Sequence, residues 1–228
     1  YDSLPLLETL LIRYQQPLET FQAVRDDTTH FKMRVPLVGA FSAGKSTLLN
    51  KLLGEDLLSV EVSPETSLAT ELHYASTEQI IGHYKNGQLI NLSRQTLLEQ
   101  SFGTLIPDGW IELKTPSKAL LLFPHLCLVD MPGLDSGLSS HVRAIDNYIG
   151  CSLAYIVIVS VEDGDLHETT RQFLTELALH QMPVLVVISK CEKRPRSDVE
   201  QVKTAINQTI QKLLANRPFQ IVETSARK

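Results

Sequence analysis

The sequence predicts an α/β fold in which a mainly parallel central sheet is flanked by helices, with a separate helical segment ahead of it. Three observations carry that expectation. From Met33 onward, short β-branched runs alternate with amphipathic stretches, the rhythm of strands joined by helical crossovers. The first of these runs, "RVPLVG", leads through a glycine-containing turn straight into an apolar helical pattern. Before that point the apolar residues recur at helical spacing instead.

Taken in order, residues 3–24 place Leu7, Leu10, Leu11, Tyr14, Leu18, Phe21 and Val24 on one helical stripe. Pro17 lacks the amide that a helix interior needs, so a kink or two consecutive helices are expected there. The polar "RDDTTH" reads as a connector, setting residues 1–30 apart as a helical segment and residues 31–228 as the main domain. Strands are expected at "RVPLVG", "LCLVD", "AYIVIVS", "PVLVVIS" and "FQIVE", and helices over residues 45–53, 139–149, 166–180 and 198–215. Pro36 is tolerable in the first strand if it lies near the start, because a central strand needs its amide donors. Asn86 and Gly87 favour a tight hairpin within "IIGHYKNGQLINL", and a further strand is expected around Trp110.

Composition narrows the function classes. The chain has 228 residues, 43% of them hydrophobic, enough to bury a full core. Its 21 basic and 26 acidic residues leave a net charge of −5, so no overall positive field favours nucleic acid or anionic lipid. An anionic ligand must therefore be recognised locally. Cys127, Cys151 and Cys191 show no CxxC pairing and read as buried thiols of a reducing compartment. No apolar stretch approaches the roughly 20 residues of a spanning helix, and no cleavable signal opens the chain. The acidic run "EDGDLHE" reads as a solvated loop that biases the following helix start, rather than as acid–base machinery.

The stretch "GAFSAGKSTLLN" meets the requirement of the GxxxxGK[ST] pattern, a strand before it and a helix after it. Gly39 and Gly44 let the backbone amides of Phe41, Ser42, Ala43 and Gly44 converge on β-phosphate oxygens, and the helix amino end adds partial positive charge. Lys45 is expected to neutralise β/γ oxygens, Ser46 to ligate Mg²⁺ and Thr47 to contact the α-phosphate. The second motif, "LVDMPGLDSG", brings Asp130 to the carboxyl edge of the sheet beside the loop, where open α/β sheets bind ligands. Asp130 is expected to hold Mg²⁺ through water and the Gly133 amide to sense the γ-phosphate, although Asp-x-Pro-Gly is also a good turn sequence. With no HxxxH or CxxC spacing, no other metal site is expected.

In the order "GAFSAGKSTLLNKLLG", "SPETSLATELHY", "LVDMPGL", the chain resembles the dynamin superfamily of GTPases over nearly all of residues 31–228, and its bacterial branch most closely. The resemblance implies a P-loop GTPase fold with an enlarged sheet, GTP or GDP as ligand, and a first-switch threonine that closes on Mg²⁺ and orders the attacking water. Thr66 matches best and Thr70 second, with a loop or capping hydroxyl as the plain alternative. Members read guanine with [NT]-K-x-D; here "SKCE", Ser189 to Glu192, follows the right strand with two of three defining positions changed. Glu192 keeps the carboxylate on a longer arm and Lys190 can still lie along the base, while a solvated loop with altered nucleotide choice is the alternative. Ser225 and Ala226 in "TSARK" match the stretch whose amide meets guanine O6.

The resemblance also bears on turnover and partners. Leu134 stands where small GTPases carry a water-orienting glutamine, and Phe41 stands where eukaryotic dynamins use a polar side chain. Ser42 matches the serine that helps to seat a monovalent cation, K⁺ or Na⁺, so Ser42, Lys45 and Thr66 form the expected catalytic set. Slow GTP hydrolysis stimulated by homodimerisation through the G domain is expected, with no nucleic-acid partner. Membrane contact would come only through segments outside this chain, which reads as a fragment, cytoplasmic or peripheral at the inner face of a membrane. The first helix would join a neck-like helical bundle or pack on the G domain. The competing expectations are a nucleotide-regulated interaction switch with negligible hydrolysis, and an Era-like or septin-like GTPase.

Overall fold

The computed structural model describes residues 4–19, 21–22, 25, 31–59, 68–99, 106, 109–135, 148–214 and 217–225. They divide into two units, Tyr1–Lys32 and Met33–Lys228. In the first unit, α1 (Leu4–Arg13) stops ahead of Pro17, and Gln15 adopts φ 52 just beyond its end. Helical residues resume at Glu19, and Arg25 pairs with Glu8 at 3.0 Å. The proline thus separates two helical stretches. α1 buries none of its residues, and Leu7 and Leu10 of the apolar stripe are exposed.

The second unit opens with β1 (Met33–Gly39) and α2 (Lys45–Leu53). It continues through β2 (Thr70–Tyr74), β3 (Gln79–His83), β4 (Leu89–Asn91), α3 (Arg94–Glu99) and β5 (Trp110–Thr115). α4 (Lys118–Leu121), β6 (Leu126–Asp130), β7 (Tyr155–Ser160) and α5 (Glu168–Leu179) follow. β8 (Val184–Ser189), α6 (Arg196–Leu213) and β9 (Gln220–Glu223) complete it. Among the described residues the strands form one sheet in the order β4-β3-β5-β2-β6-β1-β7-β8-β9.

β1 lies between β6 and β7 and is parallel to both, and β7, β8 and β9 continue in parallel. β2 runs antiparallel to β6 but parallel to β5, and the β3–β4 hairpin adds antiparallel pairs at the far edge. The hairpin turns at Gly87, φ 86, where the left-handed region suits glycine. The sheet is therefore mainly parallel and enlarged on one side.

Strand periodicity distributes the core over both faces. Val157, Val159, Val186, Ile188 and Cys127 point to the face covered by Phe173, Leu174 and Leu177 of α5 and Ile206 and Ile210 of α6. Leu37, Leu128, Ile158 and Val187, the intervening residues, pack with Leu49 and Leu53 of α2 and with Leu72 and Leu113 of the extension.

Several expectations shift. Pro36 is the fourth of seven residues in β1 rather than near its start. The register with β7 begins at Leu37, so the missing donor falls at the mouth of that ladder and the strand survives. Of the helix expected over 139–149, only Tyr148 and Ile149 lie among the described residues, and both are helical. Cys127 is buried and Cys191 half-buried, but Cys151 is exposed in the turn that follows Ile149; all three are free thiols. β2 was hidden because "TELHY" carries a charge on its buried face. Glu71, 2% exposed, accepts from Arg34 Nε at 2.8 Å and from Tyr148 Oη at 3.1 Å, which offsets the cost of its burial. Burial and the adjacent Glu71 together push the Tyr148 hydroxyl far above the ordinary tyrosine range.

Candidate functional site

The carboxyl ends of β1, β6, β8 and β9 meet along one edge of the sheet, and the turns leaving them bring most of the expected residues together. β1 delivers Gly39 into the loop. A Cβ on Gly39 would lie 2.2 Å from the Ile158 carbonyl oxygen, so the first loop position has no room for a side chain. Gly44 adopts φ 93 and caps α2. This left-handed residue turns the chain so that the loop closes over the helix amino end. Phe41 and Ser42 lie exposed on the rim, while Ala43 is buried.

Lys45 is 6% exposed, and its Nζ donates to the carbonyl oxygens of Ala40 at 2.8 Å and Gly39 at 3.2 Å. Burial presses its pKa below the ordinary lysine value, while the Asp130 and Asp135 carboxylates resist that shift. The side chain is folded back inside its own loop. Across it, Ser46 Oγ donates to Asp130 Oδ2 at 2.6 Å. Asp130 is pushed up by burial, against the opposing pull of the Ser46 hydrogen bond and of Lys45.

Asp130 Oδ1 is buried with no hydrogen-bond partner among the described residues. Ser46 and Asp130 form a pair of hard oxygen ligands, one with unused acceptor capacity, and that donor set fits Mg²⁺. No cluster of three or more His, Cys, Asp or Glu capable of holding a metal occurs among the described residues. Thr66 lies outside the described residues. Thr70, the second choice, is the first residue of β2, buried and in register with Asp130.

The segment after Asp130 lies against the loop. A Cβ on Gly133 would meet Phe41 Cα at 2.7 Å, and the Leu134 amide donates to the Gly39 carbonyl at 3.1 Å. Asp135 Oδ1 accepts from the Phe41 amide at 2.6 Å. A carboxylate therefore sits on a loop amide. Asp135 was missed from the sequence because no local pattern links it to a residue 94 positions earlier.

Beside the loop lies a cavity of about 270 Å³ lined by Gly44, Thr47, Leu48, Lys190, Glu192 and Ser225, with Lys51, Ser189, Lys193 and Thr224. It joins the phosphate loop to the "SKCE" turn. Ser189, a changed position of that motif, is 5% exposed, and its hydroxyl donates to the Ala43 carbonyl at 2.6 Å, with the Val159 carbonyl at 3.3 Å as a second acceptor. It thus ties β8 to the phosphate loop. Lys190 holds φ 59, a left-handed conformation that costs a non-glycine residue about 1–2 kcal/mol. Its ammonium reaches Glu162 at 2.9 Å, leaving its stem in the cavity wall. The Thr224 amide donates to Ile188 at 2.9 Å and its carbonyl accepts from Cys191 at 3.3 Å, which brings Ser225 to the cavity. Ala226 lies outside the described residues.

Part of the "EDGDLHE" expectation is corrected here. Asp165 pairs with Arg171 at 2.6 Å and Glu168 opens α5. Glu162, however, is held by Lys190 and Lys193 rather than merely solvated, since β7 and β8 end side by side.

Comparison with known proteins bears on this arrangement. The family model described as the dynamin family matches residues 35–191. An uncharacterized protein of Caldicellulosiruptor sp. is 26% identical over 198 residues, covering 84% of this chain and 48% of that protein. Dynamin-like protein 1 of Campylobacter jejuni is 23% identical over 256 residues, covering 95% of this chain and 34% of that protein. The chain thus spans about half or less of the length of these relatives. Among solved structures, a chain of an oligomerised bacterial dynamin pair superposes with a TM-score of 0.71 at 20% identity over 99% of this chain and 45% of that one. Era bound to MgGDPNP and ribosomal RNA superposes with a TM-score of 0.52 at 20% identity over 86% of this chain and 52% of that one. Both likenesses concern the fold.

Proposed function

The chain belongs to the dynamin family, and from that premise we propose that residues 33–228 bind guanine nucleotide with Mg²⁺ and hydrolyse GTP as part of a longer dynamin-like protein. One observation carries this reading: the glycine loop, the Ser46–Asp130 oxygen pair and the cavity walled by Lys190, Glu192 and Ser225 share one sheet edge. In this reading the amides of residues 41–46 and the start of α2 hold the β-phosphate. Lys45 exchanges the carbonyls of Gly39 and Ala40 for β/γ oxygens, Thr47 contacts the α-phosphate, and the Gly133 amide meets the γ-phosphate. Ser46, Asp130 and Thr66 hold Mg²⁺, which would neutralise charge on the phosphate oxygens. Glu192 accepts the guanine N–H groups, Lys190 lies along the base, and Ser225 and Ala226 frame its O6.

Turnover depends on more than binding. Leu134 places an apolar side chain where a water-orienting amide would stand, and its backbone is engaged with Gly39. Ser42, on the exposed rim, is left to help seat K⁺ or Na⁺ and, with Lys45 and Thr66, to complete the catalytic set. We assign slow basal hydrolysis that rises when two G domains dock across their nucleotides, since an added cation at the transition state is worth on the order of 10³–10⁵ in rate. No described helix is long and apolar enough to cross a membrane. Membrane contact at an inner face is assigned to segments beyond this chain, and no nucleic-acid partner is assigned.

The test is phosphate release from GTP and from ATP, in K⁺ and Mg²⁺, over a range of protein concentration, with calorimetric Kd values for both nucleotides. The reading expects tighter guanine binding and a rate per molecule that climbs with concentration. Tight, guanine-selective binding with a flat, near-zero rate would replace it with the switch reading that Leu134 favours. Equal affinity for GTP and ATP would end the assignment of the cavity to guanine.

A further inference from the structure

The cavity beside the phosphate loop contains one carboxylate, Glu192, together with Lys51, Lys190 and Lys193. A carboxylate among ammonium groups in a shared cavity ordinarily forms an ion pair with one of them. Among the described residues, Glu192 forms none. Lys190 Nζ instead reaches Glu162 Oε2 at 2.9 Å, and Lys193 Nζ reaches both Glu162 oxygens at 2.9 Å. Glu162 does not line the cavity; it stands on the 3-10 turn Val161–Asp163 that leaves β7. That turn is itself fastened, because the Glu162 amide donates to Ser160 Oγ at 3.2 Å and Arg194 Nη2 donates to the Glu162 carbonyl at 3.3 Å. One carboxylate outside the cavity therefore binds two of the three lysines that line it with Glu192.

We propose that Glu162 is a positioning residue for base recognition: by drawing the ammonium groups of Lys190 and Lys193 outward, it keeps the Glu192 carboxylate free to accept N–H donors from a guanine-type base. This rests on the reading of the cavity as the base site. A Glu192 carboxylate already paired with lysine would have to break that pair to accept two base N–H groups, an obstacle to guanine but not to adenine, which presents no such donor pair. The hydrogen bonds from Lys190 and then Lys193 hold the Glu162 carboxyl down at about 2, below the ordinary carboxylate range.

The experiment measures the ratio of the Kd for ADP to the Kd for GDP by calorimetry in the full chain, in Glu162→Gln, and in Glu162→Gln combined with Lys190→Met and Lys193→Met. Glu162 is exposed, so the exchange leaves the core intact, and thermal melts monitor this. The expected result is a ratio lowered about tenfold in the single variant, the scale of one charge-assisted hydrogen bond, and restored to within about threefold of the parent in the triple variant. An unchanged ratio in Glu162→Gln overturns the proposal. A lowered ratio that removing both lysines does not restore also overturns it, because the loss then lies in the turn and not in the released lysines. A parent protein that binds ADP as tightly as GDP sinks the base-site reading first and the proposal with it, whereas failure in the variants alone leaves that reading standing.

Discussion

The Ser189–Ala43 bond offers a sharp test of how the base turn and the phosphate loop are joined. Replacing Ser189 by Ala removes a buried hydroxyl whose oxygen lies 2.6 Å from the Ala43 carbonyl and leaves that carbonyl without this donor. Stranding one buried polar group costs about 1–3 kcal/mol. In a domain of this size that corresponds to a Tm lower by about 2–12 °C. Urea titration of the nucleotide-free protein should show a lower midpoint at an unchanged m-value. Because the same hydroxyl ties β8 to the backbone of the phosphate loop, GDP should also bind about three- to tenfold more weakly. Ser117→Ala supplies the control: its hydroxyl donates to the Leu53 carbonyl at 3.3 Å, is equally buried, and lies away from the cavity. That variant should lose stability and keep its GDP affinity. If Ser189→Ala leaves the midpoint unmoved, or loses stability with the same GDP affinity as Ser117→Ala, then the hydroxyl is not the tie between the two turns.

The remaining expectations concern the loop and the base turn. Gly133→Ala places a Cβ 2.7 Å from Phe41 Cα, a backbone contact that cannot yield cheaply; triphosphate affinity should fall more than diphosphate affinity, and equal losses would deny Gly133 a place near the third phosphate. Lys45→Ala should weaken GTP and GDP by on the order of a hundredfold, the scale of a buried charge-assisted contact, and undiminished affinity would remove the basis of the site. For Glu162 the folded carboxyl is depressed to about 2 from an ordinary 4.5, so its contribution is complete above about 4.5 and is lost only as pH falls through about 2. The ADP-to-GDP Kd ratio should therefore stay flat from pH 8 to pH 5, and a change in that window would place another titrating group in control.

Much of this molecule was open to reading along the chain because its signals are local. The glycine loop between strand and helix, the strand that ends at Asp130, and the Asn86–Gly87 hairpin each depend on residues a few positions apart, where backbone sterics and side-chain periodicity act directly. The continuous apolar runs of β7 and β8 were equally plain, since both faces of a central parallel strand are buried. Strand β2 was not plain, because Glu71 is tolerated inside only through Arg34 and Tyr148, partners 37 and 77 residues away.

The same division runs through the site. Local sequence determined that a glycine turn, a lysine, a hydroxyl and a carboxylate would be supplied. Tertiary structure alone decided that Ser189 answers to Ala43, 146 residues distant, that Asp135 lies on the Phe41 amide, and that Glu162 takes the ammonium groups of Lys190 and Lys193. Those pairings depend on which strand ends the sheet order sets side by side, and strand order is fixed by packing over both faces rather than by any run of neighbouring residues.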